Sequence, residues 1–433
     1  MIEIQTGKDD SSKHADSDLR PPESFRTSAF SVLRSVRRRD GTAYSSSIRL
    51  PEPVSSKSAA TQHSAADLYD YAYLRSAVRL GCPVTTEAVR VADVFSGCGL
   101  MSLGVLEACR ALGKSFHAAF GIDTSEDAVR VYRENFGEQC GFQGDVGRVV
   151  NGQLGDPLSS AERQLRKRLG KVDIAVGGPP CQGHSNLNNH TRRSDPRNKL
   201  YHRMARIAEI LRPQHLIIEN VSDVVSDRHN VVGRTAKHLR MLGYSVDDAV
   251  LELHRYGVPQ RRKRHFMVAS LLRFVDLASM LKLYERPTRT VRWAIADLVS
   301  TEPALAFDRA AVPKEANRIR IEYLFKKNCF DLPDSRRPDC HRLKQHSYRS
   351  IYGRMYWDKP AQTITSGFTC MGQGRFVHPE CKRTLTPHEA ARLQFIPDFF
   401  KFPADIGRSS LAELIANAVP VKMVYILALE LLR

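Results

Sequence analysis

Apolar runs recur between residues 88 and 270, spaced so that a helix fits between successive runs. VRVADVF (89–95) is a short apolar strand that ends in the glycine turn SGCG, and LMSLGVLEACRALG then reads as a helix. SFHAAFGID (115–123) predicts a second strand. SEDAVRVYRENF (125–136) places apolar residues near i, i+3 and i+4, which predicts a helix. KVDIAVGG (171–178), QHLIIENV (214–221) and RHFMVAS (264–270) are further apolar strands. Strand–helix alternation with apolar strands predicts an α/β fold with an open, doubly wound, mostly parallel sheet. In such sheets ligands bind at the carboxyl ends of the strands.

The pattern fails at both flanks. Residues 1–66 hold 14 serines, few aromatics and the basic run RSVRRRD (34–40), which predicts a disordered N-terminal tail. DLYDYAYLRSAVRL (67–80) predicts an amphipathic helix leading into a first domain at 67–270. Residues 271–350 carry 16 Lys/Arg against 10 Asp/Glu and five prolines, so a second, smaller domain with a basic face is expected from 271 to about 380. Residues 381–433 would return to the first domain.

Charge then narrows the class of partner. Lys and Arg number 65 against 47 Asp and Glu, a formal net charge of +18, which favours a polyanion such as nucleic acid. No run of about 18 apolar residues predicts a membrane span, and the first 20 residues lack a signal-peptide core. An intracellular protein is expected. The nine cysteines form no CxxC pair, so neither a disulfide framework nor a zinc site is expected.

Candidate chemistry sits at the strand ends. Glycines in DVFSGCGLMSLG (93–104) let backbone approach a ligand at a helix N-terminus. Asp123 ends the next strand, where an acid accepts from ribose hydroxyls. Asp145 follows a third and is placed to read an adenine amino group or to cap a helix. Together they describe a nucleoside-bearing cofactor. GGPPCQGHS (177–185) holds the single thiol of Cys181 in a loop that glycine loosens and proline stiffens. Glu219 in IIEN ends an apolar strand, and burial there would raise its pKa and suit it to proton donation. In QRRKRHFMVA (260–269), Arg262 and Arg264 share a face if the strand is regular.

These motifs, in this order, resemble the S-adenosylmethionine-dependent DNA cytosine-5 methyltransferase family from about residue 90 to the C-terminus. DVFSGCG resembles the cofactor loop, GGPPCQG the catalytic loop, IIENV the ENV segment and QRRKR the QxRxR pattern. KRTLTPHEAARLQFIPDFF (382–400) and ANAVPV (416–421) resemble the elements after target recognition. The resemblance implies a Rossmann-like class I methyltransferase fold with a smaller target-recognition domain. It implies Cys181 as nucleophile at C6, Glu219 at N3, and Arg264 with Arg262 at the O2 side of cytosine. Phe95, Gly97, Gly99, Asp123, Asp145, Pro180 and Asn417 carry over as cofactor contacts. Double-stranded DNA with a flipped base is the implied substrate. The implied protein is a monomer without metal or membrane, in a bacterial cytoplasm (or a nucleus, for a eukaryotic source), with room for a cognate restriction endonuclease.

Leu100, His184, His388, Ala418 and Thr124 depart from the commonest family pattern without removing a catalytic residue. Two rivals stand beside this reading: C5 methylation of cytosine in RNA, and a non-catalytic DNA-binding relative. The long segment between QRRKR and KRTLTPHEA favours DNA, and the set Cys181, Glu219 and Arg264 favours catalysis.

Overall fold

The computed structural model describes residues 21–52, 64–85, 88–180, 200–300, 305–342 and 350–433. Cys181 and His184 lie outside the described residues, as do residues 1–20 of the expected tail.

A seven-stranded sheet forms the centre. Its strands are β4 (Ala88–Val94), β5 (Ser115–Asp123), β6 (Gly141–Gln143), β7 (Ile174–Gly177), β8 (His215–Val221), β9 (Ser245–Glu252) and β11 (Lys263–Ser270), in the order β6-β5-β4-β7-β8-β11-β9. The first five are parallel, and β11 runs antiparallel to both β8 and β9. From β4 the chain winds outward to β5 and β6, and then β7 restarts on the other side of β4. That reversal opens a crevice at the carboxyl ends of β4 and β7.

Helices cover both faces because the strands are apolar on both. Leu100–Ala111 and Val421–Leu432 pack on one face over Val91, Val176, Ile217 and Phe266. They approach closely at Gly104, where an added Cβ would come within 2.6 Å of Val424. Ser160–Leu169, Tyr201–Leu211 and Val231–Met241 cover the other face over Val94, Ala175, Ile218 and Met267. Among the described residues one stretch, Arg408–Leu432, is long and apolar enough by composition to cross a membrane, and its most apolar 18-residue window is 94% buried inside this fold.

The expectation of a disordered tail through residue 66 is corrected for residues 21–52. These form an antiparallel meander of β1 (Glu23–Thr27), β2 (Ser31–Arg37) and β3 (Ala43–Arg49). Val32, Val36 and Ile48 are buried, and so is Arg34 at 1% exposure. Arg34 donates to Glu107 Oε1 at 2.9 Å and to Tyr425 OH at 3.1 Å, which ties the meander to the two helices behind it. Val32, Arg34 and Val36 keep a strand's alternation, but an arginine at a core position hides it from a hydrophobic count. The expected helix at 67–80 is observed as Ala65–Arg75, capped by Ser64 and Asp67.

The expected second domain begins later than residue 271. Val275, Leu277, Leu281 and Tyr284 pack into the sheet core, and Val291, Trp293 and Ile295 into the neighbouring one. A separate small core gathers only Ile321, Leu324, Leu332, Tyr352, Met371 and Val377 around the helix Glu315–Lys326. A short parallel bridge of β10 (Gln260–Arg261) with β12 (Ala361–Gln362) joins this region to the chain just before β11.

Candidate active site

A cavity of about 430 Å³ lies in the crevice where the strand order reverses. One wall is the turn after β4. Phe95 adopts φ +59 and Gly97 φ +50, so the chain folds back sharply as it leaves the strand. Left-handed backbone costs a non-glycine residue roughly 1–2 kcal/mol, so the Phe95 conformation is strained. A Cβ on Gly97 would meet nothing within 4 Å, and the residue borders the open cavity. Its N–H donates to Asp123 Oδ2 at 2.9 Å, and Ser125 N–H donates to Asp123 Oδ1 at 3.0 Å. Each oxygen keeps a second lone pair for a ligand hydroxyl. Asp145 lines the same cavity while its Oδ1 accepts from Gly147 N–H at 2.8 Å, so the capping and cavity-lining roles coexist.

Gly99 does not line the cavity. A Cβ there would lie 2.7 Å from Tyr132 and 2.6 Å from Phe136, at φ +91. The residue has a packing role: it lets the helix Leu100–Ala111 start against the aromatic rings of Glu126–Phe136. Leu100 lines the cavity directly, where a glycine would leave more room.

The opposite wall comes from β7, β8 and β11. Gly177 sits where a Cβ would strike Val94 O at 2.5 Å and Met204 at 2.6 Å, and one on Gly178 would lie 3.4 Å from Glu219 Oε2. The glycine pair thus lets the loop pass over β4 and leaves space for a carboxylate. Asn220 Nδ2 donates to Pro179 O at 3.1 Å and anchors the loop just before Cys181. Pro180 lines the cavity.

Glu219 is 8% exposed and pairs with Arg264, Nε to Oε1 at 2.9 Å. Burial pushes its carboxyl above the usual range, although Arg264 and Arg262 pull the other way. A carboxyl so poised can carry a proton to a bound base.

Arg262 does not share a regular strand with Arg264. The chain breaks between β10 and β11, and Arg262 lies at the break, 2% exposed. Its guanidinium donates to the carbonyls of Ile364 at 3.2 Å and Ala416 at 3.0 Å. It borders the cavity, but its visible work is to fasten the C-terminal segment and the β12 region to the site. The strand is therefore not regular here, although both arginines border the same cavity.

Asn417 also reaches the cavity, from the end of the helix Arg408–Asn417. With it come Ser410, Glu413 and Leu414, which the sequence reading missed. Their spacing of three, four and seven from Asn417 puts them on one helix face, a signal that was available once Asn417 was singled out. Ser96, Thr124, Ser125 and Val146 line the same space, each within two residues of a chosen cofactor contact.

Strand order, helix layers and a nucleoside-sized crevice beside a buried carboxylate–guanidinium pair define a Rossmann-like methyltransferase. The C-5 cytosine-specific DNA methylase family matches residues 89–433. The type II methyltransferase M1.BsuMI of Bacillus subtilis is 45% identical over 411 residues, covering 95% of each chain. The type II methylase M.HgiDII of Herpetosiphon aurantiacus is 27% identical over 353 residues, covering 79% of this chain and 95% of its own. Among solved structures, the S. pombe Dnmt2 methyltransferase shares the fold with a TM-score of 0.55 at 17% identity, covering 80% of this chain and 98% of its own. The chain belongs to the C-5 cytosine-specific DNA methylase family and is a DNA (cytosine-5-)-methyltransferase.

Proposed function

We propose that this enzyme methylates C5 of a flipped cytosine within a specific double-stranded DNA sequence, using S-adenosylmethionine and a covalent bond from Cys181 to C6. The observation that carries the reading is one cavity whose two walls divide the labour. Phe95, Gly97, Asp123, Asp145 and Asn417 border one side, and Pro180, Glu219 and Arg264 the other. The first wall fits a nucleoside-bearing cofactor: carboxylates with free lone pairs at two successive strand ends, and a glycine with open space above it. When bound, the cofactor supplies a methyl group on a sulfonium.

The chain's own residues do the rest. The Cys181 thiolate adds to C6, and the electron pair moves to C5, which becomes the nucleophile. Glu219 gives a proton or hydrogen bond to N3, where charge would otherwise build. Arg264 holds the O2 side and Glu219 in register, with Arg262 fixing the segments behind them. After methylation the C5 proton leaves to a base and the C6–S bond breaks, so the thiol is regenerated. A thiol is only a few per cent thiolate at pH 7, so placement by the Gly-Gly-Pro-Pro loop matters.

The small core within 305–380 would read the bases, and the basic surface would hold phosphate. The enzyme acts in the cytoplasm of a bacterium as the modification half of a type II restriction–modification pair, with an endonuclease of the same specificity as partner. Bisulfite mapping of DNA from cells expressing the protein tests the reading: 5-methylcytosine is expected at one defined sequence. Cys181→Ser should abolish the mark while DNA binding persists. Duplex carrying 5-fluorocytosine should trap the wild type covalently, and failure to trap at the mapped sequence would sink the mechanism.

A further inference from the structure

His388 stands apart from the chemistry and holds two carboxylates at once. It lies in the helix Pro387–Leu393, and its Nδ1 is 2.9 Å from Asp308 Oδ1 while its Nε2 is 2.9 Å from Asp398 Oδ1. Phe307 stacks on the ring at 5.0 Å between centroids, and Phe402 stacks on Phe307 in turn. Asp398 also accepts from Arg392, which reaches Asp297, and Arg75 reaches Asp297 from the helix Ala65–Arg75. One imidazole therefore joins the segment Ala306–Asp308, just before the helix Glu315–Lys326, to a network rooted in the catalytic domain. A second tie lies close by in sequence: Arg408 donates to Arg309 O at 2.9 Å.

We propose that His388 is a positioning residue for target recognition: its imidazolium clasps the segment leading into the recognition region to the catalytic domain. The proposal rests on the reading of residues 305–380 as the base-reading region. Two carboxylates facing the two ring nitrogens require both nitrogens to donate, and only the protonated ring does so. A neutral ring serves one carboxylate and turns a lone pair toward the other.

The surroundings favour the charged form. Burial pulls the imidazole down, but the hydrogen bonds and charges of Asp398 and Asp308 outweigh burial and Arg392, and the pKa is raised above 6.5. The other groups beside it are Cys381 and the pair Arg383–Glu389, which line a small cavity with His388 and Asp308. The sign follows: the clasp is complete below the ordinary histidine pKa and is lost as pH rises through the raised one.

The test uses the full chain. NMR titration of the ring protons, assigned with His388→Gln, should give a pKa above 6.5; a value at or below 6.5 overturns the proposal. In steady-state methylation between pH 6.5 and 9, the wild-type KM for DNA should rise roughly five- to tenfold across that titration while kcat shows no matching step. His388→Arg keeps a permanent charge, and its KM should stay flat over the same range. His388→Gln and Asp308→Asn should show the raised KM at every pH. A common KM profile for wild type and His388→Arg overturns the clasp. Absence of methylation by the wild type would instead defeat the functional reading and leave the NMR titration to decide the clasp.

Discussion

The ends of β4 and β8 each bury a carboxyl group on the same face of the sheet, and they make opposite use of it. By register, Asp93, Val176 and Ile217 form one row across β4, β7 and β8, and Glu219 lies two residues further along β8. Asp93 is fully buried beneath the cofactor turn, and its Oδ2 accepts from Ser102 Oγ at 2.7 Å, which in turn meets Tyr132 OH at 3.0 Å. Among the described residues no cation pairs with it, and burial pushes its pKa up to about 8. Glu219 has nearly the same burial but faces the cavity and carries Arg264 beside it. Without a cation the buried carboxyl stays neutral at pH 7 and braces the start of a helix. With one, the carboxyl keeps its proton exchangeable at an open site. The partner, more than the depth of burial, separates the brace from the proposed proton donor.

Three substitutions press on that difference. The largest effect is expected for Glu219→Gln, which keeps shape and hydrogen bonding but cannot deliver a proton. Methyl transfer should fall about 100-fold or more in kcat, read by single-turnover assay, with folding intact. Near-normal turnover would place Glu219 with Asp93 among the structural carboxyls.

Next is Arg264→Met, which should make Glu219 behave like Asp93. Its carboxyl would rise further above its unfolded value, so the variant's stability is best preserved at low pH and lost as pH rises through the new pKa. We expect a deficit of about 2 kcal/mol at pH 8 that shrinks toward pH 5, because the stranded carboxylate takes up a proton instead of staying charged. Urea midpoints at the two pH values measure it, and an equal deficit at both would show that the pair contributes packing alone.

The smallest effect is expected for Asp93→Asn. With a folded pKa of about 8 and an unfolded value near 3.9, the wild type binds an extra proton on folding. It loses that contribution as pH rises to 8. Between pH 7 and 9 the wild type should therefore lose about 1.4 kcal/mol of stability that the variant does not. Parallel pH profiles for the two proteins would contradict the neutral state of Asp93.

Much of this was legible in the order of residues. Apolar strands at 89–95, 115–123, 171–178, 214–221 and 264–270 announced the sheet, because burial on both faces leaves near-continuous apolar runs. The site residues at strand ends followed from the same pattern, since the carboxyl edge of such a sheet is where loops converge. Phe95, Gly97, Asp123, Asp145, Glu219, Arg264 and Asn417, scattered over more than 300 positions, do border one cavity.

Other features depended on contacts between distant segments. The meander at residues 23–49 is held by Arg34 on Glu107 and Tyr425, partners 73 and 391 residues away, and no local pattern reports a charge that is neutralised only on folding. Arg262 and Arg264 look alike in QRRKR, yet a break in the strand sends one to backbone carbonyls and the other to Glu219. Gly97 and Gly99 look alike in SGCG, yet one faces open space and the other the rings of Tyr132 and Phe136. The sequence by itself determined the class of fold and the strand-end residues that come to border one cavity, because those follow from periodicity and from residue types at strand ends. Tertiary structure alone decided how two like residues differ in their partners, because that depends on what each side chain meets after the chain has closed on itself.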